Sequence, residues 1–270
     1  MEELVTSLSN RWVKLCQLTA SSAKERRLSG LALLEGIHLV DSYMASACLS
    51  QQLADEVLFL TPSSMQIPEI ANLHNRWLGK VVVVSEKVFK AISQLSNGPA
   101  VALLMRPPVS GAMRSKQDIV YLCGLQDPGN VGTLIRTAVA AGIEQIACSP
   151  ETVSLWSPKV LRAAMGGHFY ANLIEDVTLN EILAFCCEQV VAIRAMAAQA
   201  EQSIYQADLT SCTCWLLGNE GQGLPFELLR NSGAAVEWLS IPQRHVESLN
   251  VASAGSVCFY EQWRQRQAKP

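Results

Sequence analysis

The chain contains 270 residues, of which 49% are hydrophobic and 17% are charged, and its formal net charge is −3. This composition excludes an intrinsically disordered chain, because disorder requires few apolar residues and a large net charge. No apolar stretch reaches the roughly 18 residues that a membrane-spanning helix requires, and the Met-Glu-Glu start predicts no secretory signal. At about 150 residues per domain, the length suggests two domains.

Charge is distributed unevenly between the two halves of the chain. Residues 1–117 hold 12 basic and 9 acidic residues, a balance of +3, whereas residues 118–270 hold 9 basic and 15 acidic residues, a balance of −6. This asymmetry suggests different partners for the two halves. The nine cysteines include no Cys-x-x-Cys pair and have no histidine at metal-ligand spacing. We therefore expect reduced thiols in a cytoplasmic protein without a metal site.

The first half of the chain has the pattern of a small α/β domain. A helical segment at residues 10–28 is rich in cations, which form either a solvated helix face or a set of phosphate contacts. Trp12 beside them either stacks on a nucleic-acid base or packs in the core. Apolar strands are predicted within residues 31–36, 56–60 and 80–85, and a helix begins after Ser85. The candidate RNA-binding cations are Arg11, Lys14, Lys24, Arg26 and Arg27.

Residues 106–117 contain two prolines and a glycine, which predicts an interdomain linker because proline disfavours helix at the residue before it. Apolar strands in the second half are then predicted at residues 118–125, 143–150, 189–196, 212–218 and 235–242. A helix is predicted over residues 133–142, after a turn. Apolar strands that alternate with helices predict a parallel sheet covered on both faces.

Three segments of the second half place polar and glycine residues where a predicted strand ends, which is where open α/β sheets bind ligands. In the first, residues 125–142, Asn130 and Arg136 lie at the start of a helix whose free N–H groups suit an anion. Arginine adds a planar set of donors for a phosphate or an oxyanion. The alternative is a helix capped by Asn130, with Arg136 as an ordinary surface residue.

The second segment, residues 215–229, carries Gly218, Gly221 and Gly223 around Glu220. It lacks both the Gly-Lys-Ser/Thr end of a phosphate loop and the G-x-G-x-x-G order of a dinucleotide-binding turn, which excludes a typical nucleotide-dependent oxidoreductase. Closely spaced glycines indicate either a tight backbone approach to a ligand or simply a flexible turn.

The third segment, residues 239–263, has Pro242 at a strand end, followed by a predicted helix over residues 246–261 lined with small side chains. Such a helix permits close packing of another element. The alternative to a functional site is a packing helix capped by Ser248, with Glu247 as a first-turn acid favoured by the helix dipole.

In this order, the stretches "DPGNVGTLIRTAVAAG", "GNEGQGLP" and "IP…ESLNVA" resemble the three signature motifs of the SpoU–TrmH family of RNA 2′-O-ribose methyltransferases. The stretch "SPKVLRAAMGGHF" at residues 157–169 is similar to the family's segment between its first two motifs. The resemblance covers residues 118–264 well. It extends weakly to "VKLCQL…AKERRLSGLALLEGIHLV", which is similar to the ribosomal-protein-like substrate-binding domain of many members.

The resemblance implies an α/β fold in which residues 118–270 form a parallel-sheet methyltransferase domain with a deep trefoil knot, a rare exception to unthreaded connections. Residues 1–105 would form a small α/β RNA substrate-binding domain, joined by the linker at 106–117. The knot would bind S-adenosylmethionine. Family members are homodimers, and the first motif of one subunit commonly completes the site of the other.

The site residues also follow from the resemblance. The polar residues expected to serve catalysis are Asn130, Arg136, Glu220, Ser248 and Asn250. The residues expected to bind the cofactor are Gly218, Asn219, Gly223, Ile241 and Leu249. The third motif departs from the family pattern, because "QRHVE" is one residue shorter and lacks a glycine, which would place Arg244 and His245 beside the cofactor pocket.

The implied function is S-adenosylmethionine-dependent 2′-O-methylation of structured RNA, with ribosomal RNA as the leading substrate because of the N-terminal extension. Two alternatives remain at this point. One is a transfer-RNA 2′-O-methyltransferase, and the other is a catalytically silent RNA-binding or assembly protein on the same scaffold.

Overall fold

The computed structural model describes residues 4–46, 56–95 and 98–267, and its contacts divide the chain into two compact units. The first unit comprises residues 1–109 and 156–169, and the second comprises residues 110–155 and 170–270. The boundary at residue 109 falls inside the predicted linker. Residues 156–169, which lie far along the sequence from the rest of the first unit, make most of their contacts within it.

The first unit contains a four-stranded sheet in the order β1-β4-β2-β3, with β4 antiparallel to both neighbours and β2 parallel to β3. Buried apolar side chains of all four strands pack against helices α1 and α5 in one core. The predicted strands and the helix after Ser85 are confirmed. The elements are α1 (Arg11–Ser21), α2 (Ala23–Ser29), β1 (Ala32–Glu35), α3 (Ile37–Ala45), β2 (Val57–Leu60), α4 (Pro68–Arg76), β3 (Lys80–Val83), α5 (Glu86–Ile92), β4 (Val101–Met105) and α7 (Pro158–Ala164).

The cation-rich segment at residues 10–28 forms two helices rather than one. The Asn10 side chain accepts from the N–H of Trp12 to begin α1, and the Ser22 side chain accepts from the N–H of Glu25 to begin α2. Such side-chain acceptors satisfy the free N–H groups of a first helical turn.

A partly buried ion pair attaches α7 to the rest of the first unit. Arg162 Nη1 lies 3.2 Å from Glu35 Oε2, and the Glu35 side chain is only 1% exposed. Glu35 Oε1 also accepts from the Ser93 hydroxyl and from the N–H of Gln94. A carboxylate buried to this extent requires such partners, because an unpaired buried charge is strongly destabilising.

The second unit contains a seven-stranded sheet in the order β7-β6-β5-β10-β8-β11-β9, in which every pairing is parallel. The predicted parallel sheet is therefore confirmed. Strands β5, β6 and β10 are almost wholly buried, as parallel strands usually are. The elements are β5 (Ile119–Cys123), α6 (Pro128–Ala140), β6 (Gln145–Cys148), β7 (Asn172–Ile174), α8 (Leu179–Gln189), β8 (Ala192–Met196), β9 (Gln202–Ser203), β10 (Thr213–Gly218), α9 (Phe226–Asn231), β11 (Val236–Ser240) and α10 (Val251–Gln267).

Two helix starts differ from the sequence predictions. Helix α6 begins at Pro128 rather than at residue 133, because the Asp127 side chain accepts from the N–H groups of Gly129 and Asn130 and proline suits a first helical turn. Asn130 therefore lies inside the helix and is not its cap.

Helix α10 begins at Val251 rather than at residue 246. The Asn250 side chain accepts from the N–H groups of Ala252 and Ser253. The cap is therefore Asn250 and not Ser248, which the alternative interpretation of this segment had named. As expected from its small residues, α10 packs closely on α6. A Cβ at Gly255 would lie 2.3 Å from Leu134 Cδ2 and 3.2 Å from Leu217 Cδ1.

Candidate functional site

A cavity of about 790 Å³ lies in the second unit, where strands β8, β10 and β11 reach their carboxyl ends. This is the expected edge for a ligand site in an open parallel sheet, and the volume is that of a small-molecule site. The segments that follow the three strands all contribute to its walls. The lining residues are 196–199, 217–224, 226, 238, 241, 243, 248–251 and 254.

All five residues predicted to bind a cofactor line this cavity: Gly218, Asn219, Gly223, Ile241 and Leu249. The turn between Gly218 and Gly223 is too tight for a larger residue at its start. A Cβ at Gly218 would lie 2.4 Å from the backbone carbon of Gly223, below any normal contact.

The side chain of Asn219 builds this turn from within. Its Oδ1 accepts from the N–H groups of Gly221 (2.9 Å) and Gln222 (3.0 Å), and its Nδ2 donates to the carbonyl of Gly124 at 2.7 Å. Asn219 therefore connects the turn to the end of β5. It has a structural role in addition to lining the cavity.

Three of the predicted polar residues form one hydrogen-bonded network. Asn130 Nδ2 donates to Glu220 Oε1 at 3.1 Å, and Asn250 Nδ2 donates to Asn130 Oδ1 at 2.8 Å. The two oxygens of Glu220 also accept from the backbone N–H groups of Gln126 and Asp127. Residues from all three motif segments are thus held in one arrangement, although Asn130 and Asn250 are 120 positions apart in the sequence.

The environment of Glu220 stabilises its charged form. Partial burial acts to raise the pKa of this carboxyl, but the hydrogen bonds from Asn130 and from the backbone outweigh it, and the pKa lies below its ordinary value. A carboxylate with a lowered pKa is a weak base. The arrangement therefore suits Glu220 for positioning Asn130 and the start of α6 rather than for accepting a proton.

The other two predicted catalytic residues have different surroundings. Ser248 lines the cavity. Arg136 lies on the exposed side of α6, and it does not line the cavity formed by the described residues. Within residues 4–46, 56–95 and 98–267, Arg136 makes no ion pair and no side-chain hydrogen bond, so its guanidinium is available to an external anion.

The sequence predictions missed several residues of the cavity wall. Met196 is the last residue of β8 and residues 197–199 follow it, so the strand-end rule applied to β8 would have found them. Phe226 and Trp238, whose ring centroids are 5.1 Å apart, come from α9 and β11. No sequence pattern indicated that these two rings meet.

Gln243 is a further missed residue, and it occupies the part of the third motif that departs from the family pattern. Its side chain lines the cavity. By contrast, Arg244 and His245, which were expected beside the pocket, are exposed and do not belong to its described lining.

A smaller groove of about 410 Å³ lies in the first unit around Trp12. Arg11 Cζ is 4.6 Å from the centre of the Trp12 ring, and Lys80 Nζ is 5.1 Å from it. Cations at these distances interact favourably with the face of an indole. Lys80, which lies at the start of β3, was not among the predicted cations.

The remaining predicted cations of the first unit are not equivalent. Lys14, Lys24 and Arg27 are exposed. Arg26 is partly buried, and its Nη1 donates to the carbonyl of Thr19 at 2.9 Å. Because this bond connects α2 to α1, Arg26 has a structural role whether or not it meets RNA.

Two kinds of feature are absent from the described residues. None of the helices there combines the length and the apolar character needed to cross a bilayer. No group of three or more His, Cys, Asp or Glu side chains with metal-binding geometry occurs in the same part of the chain.

Comparison with known proteins places these features in a family. The SpoU rRNA methylase family matches residues 117–260, which include all three stretches that resemble signature motifs. An uncharacterised tRNA/rRNA methyltransferase of Synechocystis is 33% identical over 98% of this chain and 94% of its own length. The 23S rRNA (guanosine(2553)-2′-O)-methyltransferase RlmP of Bacillus subtilis is 26% identical over 92% of this chain and 93% of its own length.

A solved structure supports the same relationship over both units. The AdoMet-bound rRNA methyltransferase of Sinorhizobium meliloti is 28% identical, with a TM-score of 0.79 and 97% of each chain covered. The chain therefore belongs to the SpoU rRNA methylase family.

Proposed function

We propose that this protein is an S-adenosylmethionine-dependent 2′-O-ribose methyltransferase that acts on ribosomal RNA. The observation that carries the proposal is the network of Asn130, Glu220 and Asn250, because it joins three motif segments beside one cavity. The names of the relatives support the reaction and the substrate class, and the AdoMet-bound structure supports the cofactor.

The residues of the cavity fit S-adenosylmethionine. Phe226, Trp238 and Met196 offer an apolar wall to a flat base, and the turn at residues 218–223 offers backbone groups. When bound, S-adenosylmethionine supplies an electrophilic methyl group carried on a sulfonium.

Arg136 is the proposed catalytic residue. With S-adenosylmethionine bound, the ribose 2′-hydroxyl would release its proton to solvent as it accepts the methyl group, and the sulfonium would become a thioether. Arg136 would stabilise the charge that develops on the oxygen. An arginine, with a pKa above about 12, is a poor base near neutral pH. Asn130 orients the acceptor nucleotide, Glu220 and Asn250 hold Asn130, and Ser248 contacts the ligand from the cavity wall.

We further propose that the active form is a homodimer in which Arg136 acts at the partner's cavity. Its position outside the cavity of its own chain supports this arrangement. The test mixes Arg136→Ala with Gly218→Ala, each of which is expected to have little activity by itself. Half of the dimers then contain both variants, and each of these has one intact site, so about a quarter of wild-type activity returns. If no activity returns although mixed dimers form, the site lies within one chain.

The first unit is proposed to bind the RNA substrate. The Trp12 groove combines an aromatic face with Arg11 and Lys80, which suits an unpaired base and its phosphates. Lys14, Lys24 and Arg27 provide further exposed cations for the RNA backbone.

A trefoil knot in the second unit is part of the proposal. Both ends of the segment 241–250 and the turn at residues 218–223 line the same cavity, and α10 then packs on α6 near Leu134, which supports a threaded path. Pulling both ends of the second unit in a single-molecule experiment should give an extended length shorter than that of an open chain. A full-length extension would exclude the knot.

One experiment tests the proposed function as a whole. The purified protein is titrated with S-adenosylhomocysteine by calorimetry, and 2′-O-methyl sites are mapped in RNA from cells with and without the protein. We expect binding, and a ribosomal-RNA site that disappears with the protein. Loss of a transfer-RNA site instead would identify the alternative substrate. Absence of both binding and methylation would favour the silent assembly protein.

A further inference from the structure

Part of the predicted linker is bound to the second unit by side-chain hydrogen bonds. We call this part, residues 110–116, the strap. The Asn172 side chain accepts from the N–H of Gly111 at 2.8 Å, and it donates to the carbonyls of Gly111 (3.3 Å) and Ala112 (3.2 Å). One side chain thus holds two consecutive residues of the strap by their backbone, which a mobile linker would leave to solvent.

Further contacts hold the rest of the strap. The buried Gln145 accepts from the N–H of Arg114 at 2.5 Å and donates to the carbonyl of the same residue at 3.2 Å. The Met113 side chain packs against the core of the second unit, and the Ser110 hydroxyl donates to the carbonyl of Leu173 at 2.5 Å. The path of the strap backbone is therefore fixed before any partner binds.

The strap carries two cations and no acid. Arg114 and Lys116 are both exposed, and neither side chain makes an ion pair or a hydrogen bond with the described residues. Lys116 has a φ of 57°, the left-handed conformation that residues other than glycine seldom adopt. Both charges are thus presented to solvent from a fixed backbone.

These two charges contrast with the rest of the second half of the chain. Residues 118–270 have a charge balance of −6, and four of their nine basic residues are in ion pairs. Net negative charge repels RNA, whose binding depends on contacts between cations and phosphates. Cations on a preorganised backbone also lose less conformational entropy on binding than cations on a free linker. The strap is therefore suited to bind phosphates.

We propose that Arg114 and Lys116 bind phosphates of the RNA substrate, which gives the second unit an RNA contact of its own. Gln145 and Asn172 are the first residues of β6 and β7, so the strap lies at the amino edge of the sheet, opposite to the cavity. The contact contributes affinity for RNA and takes no part in the reaction. This inference rests on the proposed use of an RNA substrate.

The test measures binding of a ribosomal-RNA transcript, made in vitro, at several salt concentrations. Arg114→Gln and Lys116→Gln each remove one charge, and each should lower the slope of log binding constant against log salt concentration by about one. The double variant should bind the transcript about tenfold more weakly. Its Kd for S-adenosylhomocysteine and its kcat at saturating RNA should match those of the wild type.

Two further variants separate these contacts from charge in general. Lys87→Gln removes an exposed lysine of α5 and should leave both the slope and the affinity unchanged. Asn172→Ala removes the hydrogen bonds to Gly111 and Ala112 without changing the charge, so it should weaken RNA binding a few-fold at an unchanged slope. Thermal unfolding of each variant checks that it is folded.

The outcomes are distinct. If the double variant is folded and keeps the wild-type slope and affinity, the inference is wrong, although methylation of the RNA by the wild-type protein would still support the proposed function. If Lys87→Gln lowers the slope as much as the strap variants do, the effect is one of total charge, and the inference is also wrong. If the wild-type protein neither binds nor methylates ribosomal RNA, the proposed function fails together with the inference.

Discussion

The two candidate binding regions of this protein are built in different ways. In the second unit, Glu220, Asn130 and Asn250 are held by hydrogen bonds to one another and to the backbone. In the first unit, Arg11 and Lys80 lie over an indole ring. The exposed Lys14, Lys24 and Arg27 donate no side-chain hydrogen bond to the described residues. Hydrogen bonds that form before a ligand binds hold the reacting groups in position. Exposed cations instead attract RNA in a salt-dependent manner. Variants in the two units should therefore affect different measurements.

The largest effect is expected at Arg136. Replacing it by Ala removes the donors proposed to stabilise the developing oxyanion, which should lower kcat by about 100- to 1000-fold. The Kd for S-adenosylhomocysteine should stay within about twofold of wild type, because Arg136 does not line the described cavity.

Arg136→Lys is the matched control for this prediction. It keeps the charge but not the planar set of donors, so partial activity is expected. Methylation by Arg136→Ala at the wild-type rate would refute the assignment of Arg136 to catalysis.

Gly218→Ala should have the next largest effect, on cofactor binding. The added Cβ would lie 2.4 Å from the backbone carbon of Gly223, so the turn must open. Overpacking of this kind costs about 1–3 kcal/mol, and the affinity for S-adenosylhomocysteine should fall steeply. Gly221→Ala, whose Cβ meets only Asn219 Oδ1 at 3.6 Å, is the control. Equal affinities of the two variants would show that the turn does not shape the site.

A smaller loss is expected for Glu220→Gln. Glu220 accepts hydrogen bonds at both oxygens. The side-chain amide of a glutamine at this position would place its own N–H groups against one of these N–H donors. We expect kcat to fall by about tenfold with little change in cofactor affinity. Glu227→Gln, at an exposed position on α9, should behave as wild type. Unchanged kcat in Glu220→Gln would show that the network is not needed for turnover.

The same residue gives a prediction about pH. Because the folded protein lowers the pKa of Glu220, its carboxylate contributes stability that is complete above the ordinary carboxyl pKa and is lost as pH falls through the lowered value. The difference in free energy of unfolding between wild type and Glu220→Gln should be constant near neutral pH and shrink in acid. Denaturant titrations from neutral to acid pH measure it, and a difference that grows in acid would contradict the lowered pKa.

The smallest effects are expected in the first unit. Lys80→Ala should weaken RNA binding a few-fold. It should also reduce the slope of log binding constant against log salt concentration by about one. Cofactor affinity should not change, because this groove is not part of the cofactor cavity. Lys87→Ala, an exposed lysine on α5, is the control. Equal salt slopes for both variants would show that the Trp12 groove does not contact RNA.

The sequence by itself identified most of the second unit. Its apolar strands predicted a parallel sheet, and its three motifs predicted the cavity residues, because strand ends, glycine turns and motif order are local properties of the chain. The helix starts were less predictable. Asp127 rather than Asn130 caps α6, and Asn250 rather than Ser248 caps α10, since several neighbouring polar residues can cap a helix and packing selects one.

Only the tertiary structure decided which distant side chains meet. No local signal in the sequence indicates that Asn130 pairs with Glu220 and Asn250, that Phe226 contacts Trp238, or that Lys80 lies over Trp12. Such contacts depend on strand order and chain path. Local sequence therefore determined the elements and motifs of this protein, whereas long-range packing determined how its sites are assembled.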